Sequence, residues 1–431
     1  MTTLHGIKIE VADSFPKRAK GLLGRDGLPS GEGLLIPRCN AIHTIGMRFP
    51  IDAEFLARDG STVCVVRDIP PGRPLIWGGW RARQVLETQA GAVRARERIH
   101  QLVSDGIYAG LIAADADGGP ILLEGLQCYE QKKLPVTEET RCDIASVGKL
   151  FTASLCALLV TEGKLDPDAP FTKYLPEHVL GPNCDITVRD LATHSGGFDN
   201  DRAYFGKKQS FVKDLMQKRP TWKRGERFHY ACYNLILIGH ILEHLEGKRL
   251  DAICKARIFD PLGMADTRWW PVVGPDRART VQIMRNPNFI GTCQDGLCQR
   301  YKKPQGNAGV FSTAADMLRF VTDILHRKTF KKEVYDLLYT PTFDNATGRR
   351  SWGWDMGPKA RPAGWSAASI FHSGFSGQTI AIDPGGARSC ATANPDAGFA
   401  GVVLTSRTAE HGTGIICRKR VLSILKANSP T

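Results

Sequence analysis

Strand-like apolar runs stand at both ends of a long helical stretch, and this arrangement restricts the fold more than any other feature of the chain. Ala109–Ala114 and Pro120–Gln127 read as paired strands around the turn Asp117-Gly118-Gly119. Helical patterning dominates from Lys149 to about Ile324. Strand signals then return at Ser369–Phe371, Gln378–Ile382 and Phe399–Thr405, before a final helix near Ile415–Lys426. Strands at both ends with helices between them imply one sheet built from the two ends, with a helical lobe inserted.

Upstream of this segment the pattern changes. Residues up to about Gly91 alternate brief apolar runs with glycine, as in Gly21-Leu-Leu-Gly-Arg25, Gly31–Ile36 and Ala53–Gly60. Another strand begins at Val63–Val66. Few long 3.6-residue periodicities occur there, which predicts a small β-rich domain. With 431 residues the chain exceeds the size at which single cores stop growing. Two domains are therefore expected, at 1–92 and 98–427, joined by the short charged stretch Ala92–Arg98.

Composition excludes several classes of function. The longest apolar candidates, Leu150–Val160 and Leu235–Leu242, fall short of the roughly 18 residues that span a bilayer, and read as buried helices. The formal net charge of +13 is spread along the chain, with short clusters at Arg327-Lys328, Lys331-Lys332 and Arg418-Lys419-Arg420. Nucleic-acid binding needs such charge gathered on one face with aromatic platforms, so it is not expected. The first residues show no basic region followed by an apolar stretch, which argues against a signal peptide. Twelve cysteines pull the other way on compartment, and a periplasmic or secreted location stays open. No C-x-x-C pair is present, and Cys293 and Cys298 either close a small ring or stand as free thiols. Cys39, His43 and Met47 suit a soft metal but lack an evident fourth ligand, and they read as core or turn members. No metal or cofactor is expected.

The chemistry is carried by Ser146-Val-Gly-Lys149, entering the apolar run from Leu150. Three residues apart on a helix, the hydroxyl and amine share a face, and the amine can hold and take the serine proton. Further along, Tyr230 in Phe228–Asn234 leads into a helix. A phenol beside a cationic amine has its ionised form favoured, which suits a general base. In Phe371-His-Ser-Gly-Phe-Ser-Gly377, Gly374 lets the backbone approach a substrate closely, and His372 adds a polar, partly cationic group. Thr193-His-Ser-Gly-Gly-Phe198 closes a helix that starts at Thr187.

Taken together and in order, these segments resemble the serine hydrolases related to class C β-lactamases and penicillin-binding proteins. The resemblance covers roughly residues 98–425. It takes in Ile144–Lys149, Glu162–Asp166, Asp190–Gly197, Tyr230-Ala-Cys232, Pro261–Thr267, Gly309–Thr313, His372-Ser-Gly374 and Val403–Arg407. It implies an α/β (α+β) β-lactamase/transpeptidase-like fold, an antiparallel sheet flanked by helices with an inserted helical lobe. It also implies that Ser146 is the nucleophile, that Lys149 deprotonates it and that Tyr230 shares the acid–base work. The oxyanion hole falls to the amides of Ser146 and Phe375. His372, Ser373, Gly374, Phe375 and Cys232 line the substrate side. Two departures bear on substrate. Cys232 stands where the Y-x-N pattern has asparagine, and a thiol cannot supply two amide hydrogen bonds. His372 stands where β-lactamases usually carry lysine, which weakens the hold on a substrate carboxylate. Both point away from efficient β-lactam hydrolysis, toward a small ester or D-amino-acid peptide. A true β-lactamase and a non-catalytic binding or sensing protein on the same scaffold are the alternatives.

Near the other end, Arg38–Asp52, Phe55–Gly60 and Val85–Gly91 resemble the family called domain of unknown function 192, over about residues 5–92. That resemblance implies no function.

Overall fold

The structure is a computed structural model. It describes residues 2–4, 7–29, 32–93, 97, 99–101, 110–115, 122–125, 135–200, 211–271, 291–301, 303–359, 361, 365–375, 378–384, 398–405 and 421–426. In the N-terminal part, six strands form one sheet in the order Thr2–Leu4, Ile7–Val11, Glu32–Pro37, Gln84–Gln89, Ile51–Leu56, Thr62–Ile69. All neighbours are antiparallel except Ile7–Val11 with Glu32–Pro37. The alternation of a pleated strand sends Leu34, Ile36, Ala53, Phe55 and Val85 to one face, where they form the core. Leu56 and Leu86, with Ile9 and Leu35, pack on the other face. Asp52 secures the end of this region, since its carboxylate accepts from the amides of Asp68, Gly91 and Val93 at 2.9, 3.0 and 3.1 Å. One short helix, Phe15–Lys20, was not expected from the sequence. It begins at Ser14 with proline in its first turn and buries none of its own residues, so it leaves no apolar periodicity.

The C-terminal part holds a five-stranded antiparallel sheet ordered Leu122–Gly125, Gly110–Asp115, Phe399–Thr405, Thr379–Asp383, Ile370–Ser373. Strands from both ends of the segment thus meet in one sheet, as the sequence predicts. Phe399–Thr405 is central and buried throughout. One face presents Ile112, Ile380, Ile382, Val402 and Leu404 to the helical lobe. The opposite face presents Leu111, Ala113, Ala381 and Val403 to Ile99 and to Val421, Leu422 and Leu425 of the final helix. A buried ion pair between Lys426 and Asp383 ties that helix to its strand. The proposed start of the helix at Ile415–Arg420 lies outside the described residues.

Helix Lys149–Thr161 is buried from Lys149 through Leu159, so it is apolar all round and sits inside the lobe rather than on it. It packs against helices Cys232–Glu246 and Lys332–Tyr339. Phe151 meets Phe259 and Phe320 edge-on at 5.0 and 4.7 Å between centroids. A small three-stranded sheet, Cys142–Asp143, Val310–Ser312 and Arg268–Trp269, sits at the helix entrance. Its strands are too short to leave a legible alternation. Cys293 and Cys298 are free, buried thiols in mutual contact, not a disulfide ring.

Candidate active site

The sheet strand Cys142–Asp143 delivers the chain to a single 3₁₀ turn, Ala145–Gly148, which runs straight into the buried helix. Ser146 sits on this turn, partly accessible between buried neighbours. Ala145 adopts φ 47°, a left-handed conformation that costs a non-glycine residue energy and must be held in place. Asp143 does the holding. Its carboxylate accepts from the Ala145 amide at 2.8 Å and from the Gln294 amide at 2.9 Å. Burial pushes that carboxyl up to about 6, against the pull of the two amides. The Ile144 amide is fixed by the Val310 carbonyl at 2.9 Å.

Lys149 is fully buried, and its ammonium donates to Ser146 Oγ at 3.0 Å and to the Asn307 carbonyl at 2.8 Å. It also lies 5.0 Å from the centre of the Tyr230 ring. Burial favours the neutral amine, but Cys232 and Tyr230 outweigh it and hold Lys149 above the ordinary lysine range. At rest the group is therefore an ammonium that orients the serine, not a free amine waiting for its proton.

Tyr230 is brought in from the loop ahead of helix Cys232–Glu246. Its backbone is clamped by Asn200, whose amide donates to the Tyr230 carbonyl at 2.8 Å and accepts from the Cys232 amide at 2.7 Å. Its ring lies against His194 at 4.7 Å between centroids. His194 is fully buried, and Nδ1 accepts from the Ala231 amide at 3.2 Å and faces Asn234 Nδ2 at 3.0 Å. Burial, with help from Arg350, holds His194 well below the usual histidine range, so it stays neutral. The Tyr230 hydroxyl is buried and faces the Lys149 amine.

His372 lies on strand Ile370–Ser373 with its ring 6.2 Å from that of Tyr230. The sequence suggests a partly cationic group here. Instead the ring is buried, with neither nitrogen hydrogen-bonded among the described residues. Burial first, then Arg350 and Lys149, keeps it well below 6.5 and neutral. Ser373 Oγ pairs with Thr379 Oγ1 at 3.0 Å across the strand pair, which makes it a strand contact in the unliganded site. Gly374 ends the strand against the nucleophile turn, and Phe375 follows it with an exposed side chain. Cys232 faces the Lys149 amine, and burial raises its thiol while Lys149 pulls it down.

Three contributors escaped the sequence. Asn307 offers its carbonyl to Lys149, and its side chain touches Cys232 with a buried Nδ2 that is unpartnered among the described residues. It stands two residues ahead of Gly309, beside a motif that was read. Asn200 lies in an irregular stretch with no periodic signal. Arg350 is buried, paired with Asp355 at 3.2 Å, and its charge reaches both His194 and His372.

The sequence model of the Beta-lactamase family matches residues 95–426. That of the domain of unknown function 192 family, described as Uncharacterized ACR, matches residues 1–99. The D-alanyl-D-alanine-carboxypeptidase/endopeptidase AmpH of Escherichia coli (strain K12) is 25% identical over 51% of this chain and 58% of its own length. Among solved structures, unliganded simvastatin synthase (LovD) from Aspergillus terreus in its selenomethionyl form superposes with a TM-score of 0.63. It is 19% identical, with 79% of this chain and 99% of that one covered. EstCE1, a hydrolase with promiscuous acyltransferase activity, superposes with a TM-score of 0.62 at 18% identity, over 78% of this chain and 98% of that one. The antiparallel sheet flanked by helices is the fold these structures share, and with a match spanning most of its length the chain belongs to the Beta-lactamase family, as a serine hydrolase-type enzyme.

Proposed function

We propose that residues 98–427 catalyse acyl transfer through an ester on Ser146, from a small ester or a D-amino-acid peptide to water or another alcohol. The observation that carries this reading is the Lys149 ammonium, which donates to Ser146 Oγ at 3.0 Å while lying against Tyr230. In the first step Ser146 Oγ bonds to the substrate carbonyl carbon as its proton passes to Tyr230, the general base of this reading, beside the Lys149 ammonium. The carbonyl electrons move onto oxygen, where the amides of Ser146 and Phe375 receive the charge. Collapse of that intermediate breaks the bond to the leaving group, which takes the proton back from Tyr230. A water or alcohol then repeats the sequence and frees Ser146.

The surroundings favour an ester over an amide. An amide leaving group needs firmer orientation and a stronger proton delivery, and Cys232 offers only a weak thiol donor where the pattern has asparagine. A neutral His372 gives no charge to a substrate carboxylate. One feature keeps a peptide carboxylate in view. A cleft of about 520 Å³ beside Phe228 is lined by Arg349, Arg350, Lys359 and Arg361 together with Asp344 and Asp355, which pair with Arg349 and Arg350, and its excess of cations would receive an anionic tail. AmpH, a relative named for D-alanyl-D-alanine carboxypeptidase activity, supports that second reading. Residues 1–92 would form a separate domain.

Turnover of nitrophenyl acetate, nitrophenyl butyrate and a D-alanyl-D-alanine peptide by purified full-length protein tests the reading. It predicts ester turnover that disappears in Ser146→Ala, with slower peptide turnover. Equal activity in wild type and Ser146→Ala contradicts it.

A further inference from the structure

Cys39, His43 and Met47, read from the sequence as core or turn residues with soft-metal character, all line one cavity of the N-terminal sheet region. It measures about 280 Å³, and its walls combine the apolar Leu22, Ile36 and Ile42 with the cationic Arg18, Lys20 and Arg38. A metal is not what it fits. Among the described residues no three His, Cys, Asp or Glu side chains gather as a ligand set. The Cys39 thiol is already used, donating to the Ala41 carbonyl at 3.0 Å.

The unexplained member of the cavity wall is Glu87. It is 3% exposed, and its Oε2 is buried with no hydrogen-bond partner among the described residues. Sheet register sets it opposite Leu34 and Ala53, on the apolar core face of the sheet. A carboxyl left there without a donor costs stability, in the range of about 1–3 kcal/mol for an unsatisfied buried polar group and more if charged. Arg25 exerts only a weak pull from a distance, and is itself paired with Glu10 at 2.8 Å. Among the described residues no group donates to this oxygen.

A second hollow of about 580 Å³ adjoins the first and shares Arg38 and Cys39 with it. It adds Arg58 and Arg83 and no acidic residue. None of these three guanidiniums pairs with a carboxylate among the described residues, and Arg83 donates only to the carbonyls of Trp80 and Ala82. An acceptor without a donor among the described residues therefore lines one hollow, and cations without a paired carboxylate line the other, with Arg38 and Cys39 common to both.

We propose that these two neighbouring hollows together bind a small zwitterion, an apolar amino acid or dipeptide, with its ammonium at Glu87 and its carboxylate among Arg38, Arg58 and Arg83. The bound ammonium satisfies the orphaned carboxyl, the arginines neutralise the other end, and Leu22, Ile36 and Ile42 take the side chain. This site is independent of the serine chemistry.

Titration calorimetry on the full-length protein tests it, with leucine and leucyl-leucine in both enantiomers as probes. N-acetylleucine, which lacks the cation, and leucinamide, which lacks the anion, serve as one-charge controls. The expected result is saturable binding of at least one zwitterion, about tenfold or more weaker for each control. Binding also weakens about tenfold in Glu87→Gln and in Arg38→Ala, while Ser146→Ala binds as well as wild type. Glu87→Gln keeps the side-chain shape and removes the buried charge, so it should melt no lower than wild type and keep its esterase rate. Absence of saturable binding by any zwitterion overturns the proposal. So does equal binding by Glu87→Gln, and so does a Glu87→Gln variant that melts lower than wild type, since the carboxyl would then be structural.

Discussion

Gly374 lies so close to the nucleophile turn that a methyl group on it would stand 2.8 Å from the Ile144 carbonyl and 3.1 Å from the Ala145 side chain. Neither neighbour can retreat. Ile144 is held by Val310 and Ala145 by Asp143. The strand end ahead of Phe375 is thereby set against the turn that carries Ser146, the two segments to which the proposed oxyanion hole is assigned.

Gly374→Ala is accordingly expected to lower kcat by about a hundredfold, the scale of losing one oxyanion donor, with KM changed little. The substitution sits at a strand end, so the melting temperature should fall only slightly. Steady-state kinetics on a nitrophenyl ester together with a thermal melt distinguish this from simple unfolding. A kcat within twofold of wild type would mean that the strand end has no part in the reaction.

Asn200 acts on the reaction through Tyr230. Asn200→Ala removes both hydrogen bonds that clamp the tyrosine backbone, and should lower kcat by about tenfold or more while leaving KM near wild type. Asn200→Asp keeps the acceptor for the Cys232 amide but loses the donor to Tyr230, so it should recover part of the rate. A parallel loss of stability and rate in both variants, with no recovery, would point to a purely structural role.

In the proposed reading, Cys232 tilts the site toward esters over amides. Replacing it with asparagine supplies a carboxamide, with an acceptor oxygen and a donor NH2, in a similar volume beside Lys149 and Asn307. Cys232→Asn should raise acylation by a penicillin or a D-peptide about tenfold or more and leave ester turnover within a few fold. Stopped-flow acylation rates check this. An unchanged ester-to-amide ratio would place substrate selection elsewhere, with the cleft at Arg349 and Lys359 the next place to look.

The sheet built from both ends of residues 98–427 was legible because its strands are apolar, well separated and flanked by turn residues. The Ser146–Lys149 pair was legible because helix geometry alone sets its spacing. What stayed hidden depends on loops meeting in three dimensions. Asn200 and Asn307 carry no periodic signal, yet each holds a catalytic candidate through main-chain contacts. The state of His372 was misjudged for a related reason: its type suggests partial charge, but burial beside Arg350 and Lys149 decides that it is neutral. The helix Phe15–Lys20 was missed because it buries nothing of its own.

Stability should respond to pH in opposite directions in the two parts of the chain. His178 and His240 are both lowered to about 4 by burial, and His194 and His372 fall well below 6.5 for the same first reason. For each, the unfolded chain binds a proton near 6.5 that the folded one refuses. Stability of residues 98–427 is therefore full above that pH and is lost as pH falls through about 6.5 toward 4. Glu87 runs the other way. Burial lifts its folded pKa from 4.5 to about 7, so the folded form binds the extra proton and stability is lost as pH rises across that window, on the order of 3 kcal/mol at most. Arg25, Arg18, Lys20, Arg38, His43 and the Cys39 thiol are the titratable or charged groups around it. Calorimetric melts at pH 5 and pH 8 should show the hydrolase transition rising with pH and the N-terminal one falling, the latter flattened in Glu87→Gln. Two transitions that move together would refute this assignment.

The most direct test of the account is intact-mass analysis after exposure to a fluorophosphonate and to a panel of esters, D-peptides and penicillins, followed by peptide mapping. The account predicts one covalent adduct, on Ser146, absent from Ser146→Ala and formed far more slowly in Lys149→Ala and Tyr230→Phe. An adduct that persists in Ser146→Ala, or wild type that none of these reagents labels, would contradict it.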